Sequence, residues 1–117
     1  MPRAKREEDQ VQRAVIQHLL LRRRPSVCFF AVGNGGARSS IEASIMKGLG
    51  VRAGVPDLIL IAEGRTYGLE LKRAKGGRTS DAQRAMIQEI EAAGGVCAVA
   101  AGLDAALDQL KAWGLLR

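Results

Sequence analysis

The stretch "GVPDLILIAEGRTYGLELK", residues 54–72, decides the fold, because it holds two strand-forming runs separated by turn residues. The first run is "DLILI", 57–61, and the second is "YGLELK", 67–72. Between them "EGRT", 63–66, has the composition of a turn. Apolar, strand-forming runs that are bounded by such residues predict a β-hairpin.

Three charged residues of this hairpin, Asp57, Glu70 and Lys72, stand where a buried strand usually carries Val or Ile. If residues 63–66 form the turn, Asp57 is opposite Lys72 and Ile59 is opposite Glu70, and opposed side chains share one face. Glu70 and Lys72 are two residues apart and lie on that face too, so Asp57 is diagonal to Glu70. A one-residue shift of register would move Asp57 to the other face. The pattern therefore predicts that the three charges meet at one end of the sheet.

Two neighbouring carboxylates repel each other unless a positive charge lies between them. Mg²⁺ prefers oxygen ligands and keeps several waters, and the backbone carbonyl of Leu71 would add one more oxygen. A divalent ion there would polarise a phosphoryl oxygen or activate a water. We expect Lys72 to orient the attacking water and stabilise charge, with a general-base role as the second choice. The residues alone leave open a plain salt bridge between Lys72 and either carboxylate.

The composition is that of one small, basic domain. The chain has 117 residues, of which 47% are hydrophobic and only 3% aromatic, so aliphatic side chains must fill the core. The net charge of +6 and the pI of about 10.0 favour a polyanionic partner, either nucleic acid or an acidic membrane surface. An ordinary basic protein is the alternative.

The remaining composition favours a cytoplasmic protein. Cys28 and Cys97 lie in apolar runs, which predicts two buried free thiols in a reducing compartment. His18 is the only histidine, so no zinc pattern is present. No apolar stretch reaches the roughly 18–20 residues that span a bilayer, and no apolar segment follows the basic N-terminus as in a signal peptide.

The periodicity predicts eight elements in one domain, 1–117, in the order helix, strand, short helix, strand, strand, helix, strand, helix. They cover residues 8–23, 26–32, 41–50, 57–61, 67–72, 81–93, 96–100 and 104–113, after a loose tail at 1–7 and with a glycine-rich loop at 33–40. The strand at 26–32 is predicted to be buried, and Ser80 with Gln83 predicts a capping box. The order suits an α/β fold with a central mixed β-sheet of about four strands and helices on both sides.

The charged pattern resembles a known nuclease signature. "GVPDLIL" followed by "GLELK" is similar to the Pro-Asp…Glu-x-Lys motif of the restriction-endonuclease-like superfamily, and within it the chain resembles the virus-type replication-repair nuclease (VRR-NUC) domain. Further segments resemble parts of that domain in the expected order: "EDQVQRAV", "GNGGARS", "GVRAGVPD", "KGGRTSDAQ" and "GGVCAVAAGLDAALDQL". Because almost the whole chain is covered, the resemblance is more specific than the charged trio alone.

The resemblance implies a restriction-endonuclease-like core and a nuclease that cleaves phosphodiesters with Mg²⁺ or Mn²⁺. It implies Asp57 and Glu70 as metal ligands and Lys72 as the catalytic lysine. It also matches Glu8 to the helical glutamate that completes the metal site in related resolvases. The spacing supports this, since Glu8 lies on one helical stripe with apolar residues. A favourable acid in a first helical turn is the alternative, and Glu7 is the adjacent rival.

Gln83 has two interpretations, as the capping-box partner of Ser80 or as a group that faces the site, and the family pattern favours the second. Basic residues in the flanking segments are expected to grip phosphates, although each is also typical of a solvated surface. The DNA-binding residues that we predict are Arg38, Lys47, Arg52, Lys75 and Arg78. With few aromatic residues, binding is expected to depend on the DNA backbone and on salt.

The function that these patterns indicate is a metal-dependent DNA endonuclease, selective for Holliday junctions or other branched or flap DNA in replication, repair or recombination. Two active sites in a homodimer would suit a symmetric branched substrate, and the last helix, with Leu110, Trp113 and Leu115, is a candidate interface unless it closes the core. A nickase or exonuclease on flaps or ends is one alternative. A non-catalytic DNA-binding module is another, disfavoured by the intact charged trio. The resemblance suggests a phage-like setting in a bacterial or phage-infected host cell.

Overall fold

The computed structural model describes residues 2–33 and 39–117. Its helices and strands are α1 (Arg3–Arg22), β1 (Cys28–Ala31), α2 (Ser40–Gly48), β2 (Leu58–Ala62), β3 (Arg65–Lys72), α3 (Asp81–Ala92), β4 (Val96–Ala101) and α4 (Leu103–Ala112). The predicted order of elements is confirmed, as is the α/β fold with a mixed four-stranded sheet between helices. Most of the predicted glycine-rich loop lies outside the described residues.

The sheet has the strand order β1-β2-β3-β4. β1 and β2 are antiparallel, β2 and β3 form the predicted hairpin, and β3 and β4 are parallel. A parallel pair needs a long crossover connection, which α3 supplies. β3 therefore lies inside the sheet, and its residues 67–72 are all buried.

The hairpin turn is shorter than predicted. Only Glu63 and Gly64 lie between the strands, and both have positive φ, 52° and 77°, as a tight hairpin turn requires. The observed register pairs Leu58 with Leu69, so the predicted pairing of Ile59 with Glu70 and Asp57 with Lys72 is wrong. The shift is two residues, an even number, so every side chain keeps its face. Continuing the register by one residue brings Asp57 opposite Glu70.

The main core lies on one face of the sheet. Leu58, Leu60, Leu69 and Leu71 point there and are almost fully buried. They pack with apolar residues of α1 and α4, which include Val15, Leu19, Ala106 and Leu110. Side chains alternate along a strand, so the neighbours of these leucines on β3, Gly68, Glu70 and Lys72, belong to the opposite face, where α3 lies. Glu70 and Lys72 thus lie on the face of the sheet that α3 covers.

The loose tail predicted at 1–7 is wrong, because α1 begins at Arg3. Its first turns are polar, so apolar periodicity could not reveal them. Ion pairs one helical turn apart stabilise them: Arg3 with Glu7 at 3.0 Å and Lys5 with Asp9 at 3.2 Å. This earlier start places Lys5 as well as Glu8 within a regular helix.

The strand predicted to be buried at 26–32 is wrong in two respects. β1 is shorter, Cys28–Ala31, and it is an edge strand with most of its residues exposed. Phe30 is 47% exposed, and Cys28 is exposed where a buried thiol was predicted, while Cys97 is half-buried. An apolar run does not reveal whether its strand has neighbours on both sides, which accounts for the error.

The last helix closes the core instead of forming an exposed interface. Leu110 and Leu115 are 0% and 2% exposed, and the Trp113 ring packs on Tyr67 with ring centroids 5.0 Å apart. Of the two interpretations that the sequence left open for these residues, a dimer surface or closing of the core, the structure supports the second. Among residues 2–33 and 39–117, no helix is long and apolar enough to cross a membrane.

Candidate active site

Six of the predicted site residues line a cleft of about 480 Å³ beyond the end of the hairpin. The cleft is formed by α1, α2, the segment before β2, β3 and the N-terminus of α3. Its lining includes Lys5, Glu8, Lys47, Arg52, Asp57, Glu70, Ser80 and Gln83. Five distant parts of the sequence thus contribute polar side chains to one depression.

Asp57 and Glu70 are the paired carboxylates of this cleft. Asp57 Oδ2 accepts a hydrogen bond of 2.8 Å from the backbone N–H of Leu71, which fixes the carboxylate beside β3. Glu70 is only 2% exposed, and its Oε1 is buried without a hydrogen-bond partner among the described residues. A buried carboxylate oxygen without a partner is unfavourable unless a cation, a water or a proton satisfies it.

The pKa of Glu70 reflects its burial beside Asp57. Burial, reinforced by the negative charge of Asp57, raises the pKa of Glu70 from 4.5 to about 7, although the Lys72 ammonium opposes this increase. Both raising effects disfavour the ionised carboxylate. A cation between Asp57 and Glu70 would remove the repulsion and favour ionisation.

Lys72 and Gln83 complete a hydrogen-bonded cluster with Glu70. Lys72 Nζ lies 3.3 Å from Glu70 Oε2 and donates to Gln83 Oε1 at 2.9 Å. Gln83 Nε2 donates to Glu70 Oε2 at 2.8 Å. The salt bridge left open by the sequence is thus present, but it is buried, with Lys72 only 7% exposed.

Gln83 fulfils both interpretations at once. It forms the predicted capping box, since Ser80 N donates to Gln83 Oε1 at 2.9 Å and Gln83 N donates to Ser80 Oγ at 3.1 Å. The same Oε1 atom accepts from Lys72 Nζ. The cap of α3 therefore orients the amide that holds Lys72 and Glu70.

Glu7 and Glu8 point to different sides of α1. Glu8 lines the carboxylate cleft, whereas Glu7 lines a separate cleft and pairs with Arg3 at 3.0 Å and with Arg73 at 3.7 Å. Glu8 is thus the glutamate on the side of Asp57 and Glu70. Within the described parts of the chain, however, no three His, Cys, Asp or Glu side chains lie close enough together to hold one metal ion.

The backbone of Leu71 faces the carboxylates. In a strand, the N–H and C=O of one residue point to the same side, and successive residues alternate. Leu71 N–H is bonded to Asp57, whereas the Lys72 carbonyl accepts from Gly102 on the β4 side. The Leu71 carbonyl is therefore directed to the Asp57 side.

The predicted DNA-binding residues do not form one cluster. Lys47 and Arg52 line the carboxylate cleft, where Arg52 also pairs with Glu89. Lys75 lines the cleft beside Glu7, and Arg78 lines a third depression next to α3. Arg38 lies outside the described residues.

One cleft contributor, Gly54, was missed by the sequence analysis. Lys5, one of the basic residues expected to grip phosphates, lines the cleft, although its helical position was hidden in the polar start of α1. Gly54 has φ of +83°, and a Cβ atom there would lie 2.3 Å from Ala82 O and 2.8 Å from Gln83 N. Glycine is thus needed for the segment before Asp57 to pack on the first turn of α3. The position of this glycine, three residues before Asp57, was the feature of the sequence that could have indicated its role.

The sheet order, the flanking helices and this cleft define a compact α/β fold of the restriction-endonuclease-like class. A solved structure described as a VRR_NUC domain protein is similar to this chain, with a TM-score of 0.73 and 25% sequence identity, covering 92% of this chain and 87% of the other. No family model matches the sequence, and no curated protein matches it. The resemblance seen in the sequence is thus confirmed by the fold, and it supports a nuclease-type domain.

Proposed function

We propose that this protein is a Mg²⁺- or Mn²⁺-dependent DNA endonuclease that acts on branched or flap DNA. The observation that carries the proposal is the pair formed by the half-buried Asp57 and the buried Glu70, with one Glu70 oxygen unpartnered among the described residues and Lys72 held 3.3 Å from the other. A structural salt bridge would not need the second carboxylate. The likeness to a VRR_NUC domain protein points to the same chemistry.

The residues present fit a hard divalent cation. Asp57 and Glu70 offer carboxylate oxygens, and the Leu71 carbonyl is directed to the same side. Glu8 on the cleft wall would hold the ion directly or through water, since Mg²⁺ commonly binds one or two carboxylates and keeps several waters. When bound, the ion would supply Lewis-acid polarisation of the phosphoryl oxygen and a more acidic water.

The chain's own groups would orient the reaction. Lys72 would donate a hydrogen bond to the attacking water or to a phosphate oxygen and stabilise the negative charge that develops there. Gln83 holds the Lys72 ammonium and the Glu70 carboxylate through the two ends of one amide. Because Gln83 is anchored in the α3 capping box, this geometry exists before substrate binds.

A cleavage assay would test this function directly. Four-way junction, flap, bubble and linear duplex DNA of matched sequence would be incubated with Mg²⁺, Mn²⁺ or EDTA, and the cut positions mapped on both strands. We expect internal cuts in the branched or flap substrates, dependent on metal. Cuts only from ends would support the exonuclease alternative, and tight binding of branched DNA without any cleavage would support a binding module.

Ser80→Ala is expected to weaken both the fold and the site. Loss of the cap should lower the free energy of unfolding by about 1 kcal/mol, measured by urea denaturation, and should also slow cleavage because Gln83 loses its anchor. Ser39→Ala is a matched control, since Ser39 caps α2 by accepting from Glu42 N at 3.1 Å. Equal losses of cleavage in the two variants would contradict the role of Gln83.

The basic residues of the cleft are proposed to bind the DNA backbone. Lys47 and Arg52 lie beside the carboxylates, while Lys75 and Arg78 lie in the loop between β3 and α3 and would contact more distant phosphates. Arg38 is likewise still predicted to contact the DNA backbone. Such contacts release counterions and give the salt dependence typical of phosphate binding.

Lys47→Ala is expected to weaken DNA binding at every sequence and to reduce the slope of log K against log[salt] by about 1. Lys111→Ala on α4 removes the same charge from an exposed residue that does not line the cleft, so it should change neither the DNA affinity nor the salt slope. Fluorescence anisotropy at several salt concentrations measures both quantities. An identical slope for the wild type and Lys47→Ala would exclude this lysine from the interface.

The homodimer that we propose uses α2 and not α4. Ile41, Ile45 and Leu49 form one stripe at four-residue spacing and are 74%, 58% and 75% exposed. Lys47 of the same helix lines the carboxylate cleft. A second copy packed on this stripe would therefore bring two clefts near each other, which suits a symmetric branched substrate.

Ile45→Glu is expected to convert the dimer to a monomer, because a charge would be buried in an apolar contact. Light scattering after size exclusion, over a range of protein concentrations, measures the mass. Leu21→Glu changes a residue of α1 that is 78% exposed, and it should leave the dimer intact. A wild-type protein that is monomeric at every concentration would rule out the dimer.

A further inference from the structure

The loop between β3 and α3, residues 73–80, covers the aliphatic stem of Lys72. The Lys72 side chain is only 9% exposed, although its ammonium belongs to the cleft cluster. Gly77 lies directly against it: a Cβ atom at Gly77 would be 2.9 Å from Lys72 Cβ and 3.5 Å from Lys72 Cδ. Carbon atoms prefer about 3.5–4.0 Å, so a side chain at Gly77 does not fit.

Rotation of Lys72 cannot relieve this contact. Its Cβ atom is fixed by the backbone of β3, which is paired with β4 and bonded from the Lys72 carbonyl to Gly102 N at 2.8 Å. Gly77 is not among the glycines with positive φ. An alanine there would meet no backbone strain, and only the contact with Lys72 opposes it. The loop would therefore have to move away from the lysine.

A second contact holds the other side of this loop. Arg73 Nη2 donates to Gly76 O at 3.2 Å, and Arg73 Nη1 lies 3.7 Å from Glu7 on α1. The loop is thus fixed to α1 at one point and rests on Lys72 at the other. Beyond it the chain continues to Ser80, the cap that orients Gln83.

We infer that Gly77 is a positioning residue for Lys72, an inference that rests on the proposed nuclease function. Glycine lets the loop backbone lie on the lysine stem, which excludes water from it and directs the ammonium toward Glu70 and Gln83. Gly77→Ala lifts the loop, so Lys72 becomes exposed and loses its fixed position.

Amine-reactive labelling of Lys72 tests this without DNA or metal. Labelling followed by peptide mass spectrometry reports the rate at Lys72 relative to the exposed lysines of the same chain. Gly77→Ala should label several times faster at Lys72 than the wild type. Gly48→Ala is the matched control, because a Cβ at Gly48 would meet nothing within 4 Å. Equal rates in Gly77→Ala and the wild type would overturn the inference.

Cleavage kinetics provide the second readout. Gly77→Ala should lower kcat about tenfold or more, and a loss confined to KM would overturn the inference. If Gly77→Ala does not fold, Arg73→Ala can be used in its place. It removes the contacts of Arg73 with Gly76 and Glu7 that hold the loop, so it should also speed labelling of Lys72. If Gly77→Ala speeds the labelling of Lys72 but the wild type cuts no DNA, the positioning role is supported and only the proposed nuclease function is refuted.

Discussion

Asp57→Asn is expected to lower the rate of DNA cleavage by at least about a thousandfold, since a metal ion contributes several kcal/mol to stabilising the transition state. The asparagine oxygen can still accept the hydrogen bond that Leu71 N–H donates to Asp57 at 2.8 Å. The substitution thus removes the negative charge of the proposed metal ligand while the end of the hairpin keeps its hydrogen bond. Single-turnover cleavage of the best branched substrate measures the effect.

DNA binding separates this outcome from a loss of folding. Asp57→Asn should bind branched DNA at least as tightly as the wild type, because it removes a negative charge that faces phosphates. Asp104→Asn, on α4 and exposed, makes the same chemical change outside the cleft and should cut normally. Cleavage by Asp57→Asn at the wild-type rate would refute the site.

Glu70→Gln is expected to abolish a pH-dependent loss of stability in the metal-free protein of about 3 kcal/mol by pH 8, which is the free energy that corresponds to a pKa raised from 4.5 to about 7. Between these values the folded state keeps a proton on Glu70 that the unfolded state has released. The free energy of unfolding of the wild type therefore falls as pH rises from about 4.5 to 7. Glutamine has no proton to lose, so this decrease is absent from the variant.

Urea denaturation in EDTA between pH 5 and pH 8 measures this difference. Wild type and Glu70→Gln should have similar stability at pH 5 and diverge toward pH 8. Added Mg²⁺ or Mn²⁺ should raise the stability of the wild type at pH 8 by binding the folded state, and raise that of the variant less. Parallel pH profiles in EDTA would show that Glu70 is ionised without cost, which would remove the main electrostatic argument for a cation.

A site that destabilises its own fold is typical of catalysis. Glu70 occupies a central strand where an apolar residue would pack without an electrostatic cost, and one of its oxygens lacks a partner among the described residues. Proteins retain such residues where activity requires them. Improved stability combined with lost cleavage in Glu70→Gln would be direct evidence of that trade-off.

The hairpin shows which features of a strand pair sequence patterns can predict and which they cannot. Its two strands and the shared face of Asp57, Glu70 and Lys72 were predicted correctly, because side-chain alternation is a local property of a strand. The pairing was wrong by two residues, because the turn consists of Glu63 and Gly64 alone. A non-glycine residue with positive φ is uncommon, so the Glu-Gly turn was not evident from composition.

The choice between Glu7 and Glu8 illustrates the opposite case. Both glutamates lie on one helix, and neither spacing nor composition separates them with certainty. The structure places Glu8 in the cleft and Glu7 beside Arg73, because the direction in which α1 crosses the sheet decides which helix face meets the site. Gln83 similarly combines its two predicted roles only because α3 begins directly over β3.

The sequence by itself determined the type and order of the elements, the capping box at Ser80 and the set of charged residues on one face of the hairpin. These features follow from contacts between residues that are close in the chain. The tertiary structure alone decided which strands lie at the edge, how deeply Glu70 and Lys72 are buried, and which residues of α1 and α3 meet them. Burial and electrostatic coupling depend on segments far apart in sequence, and their positions are set by how the whole core packs.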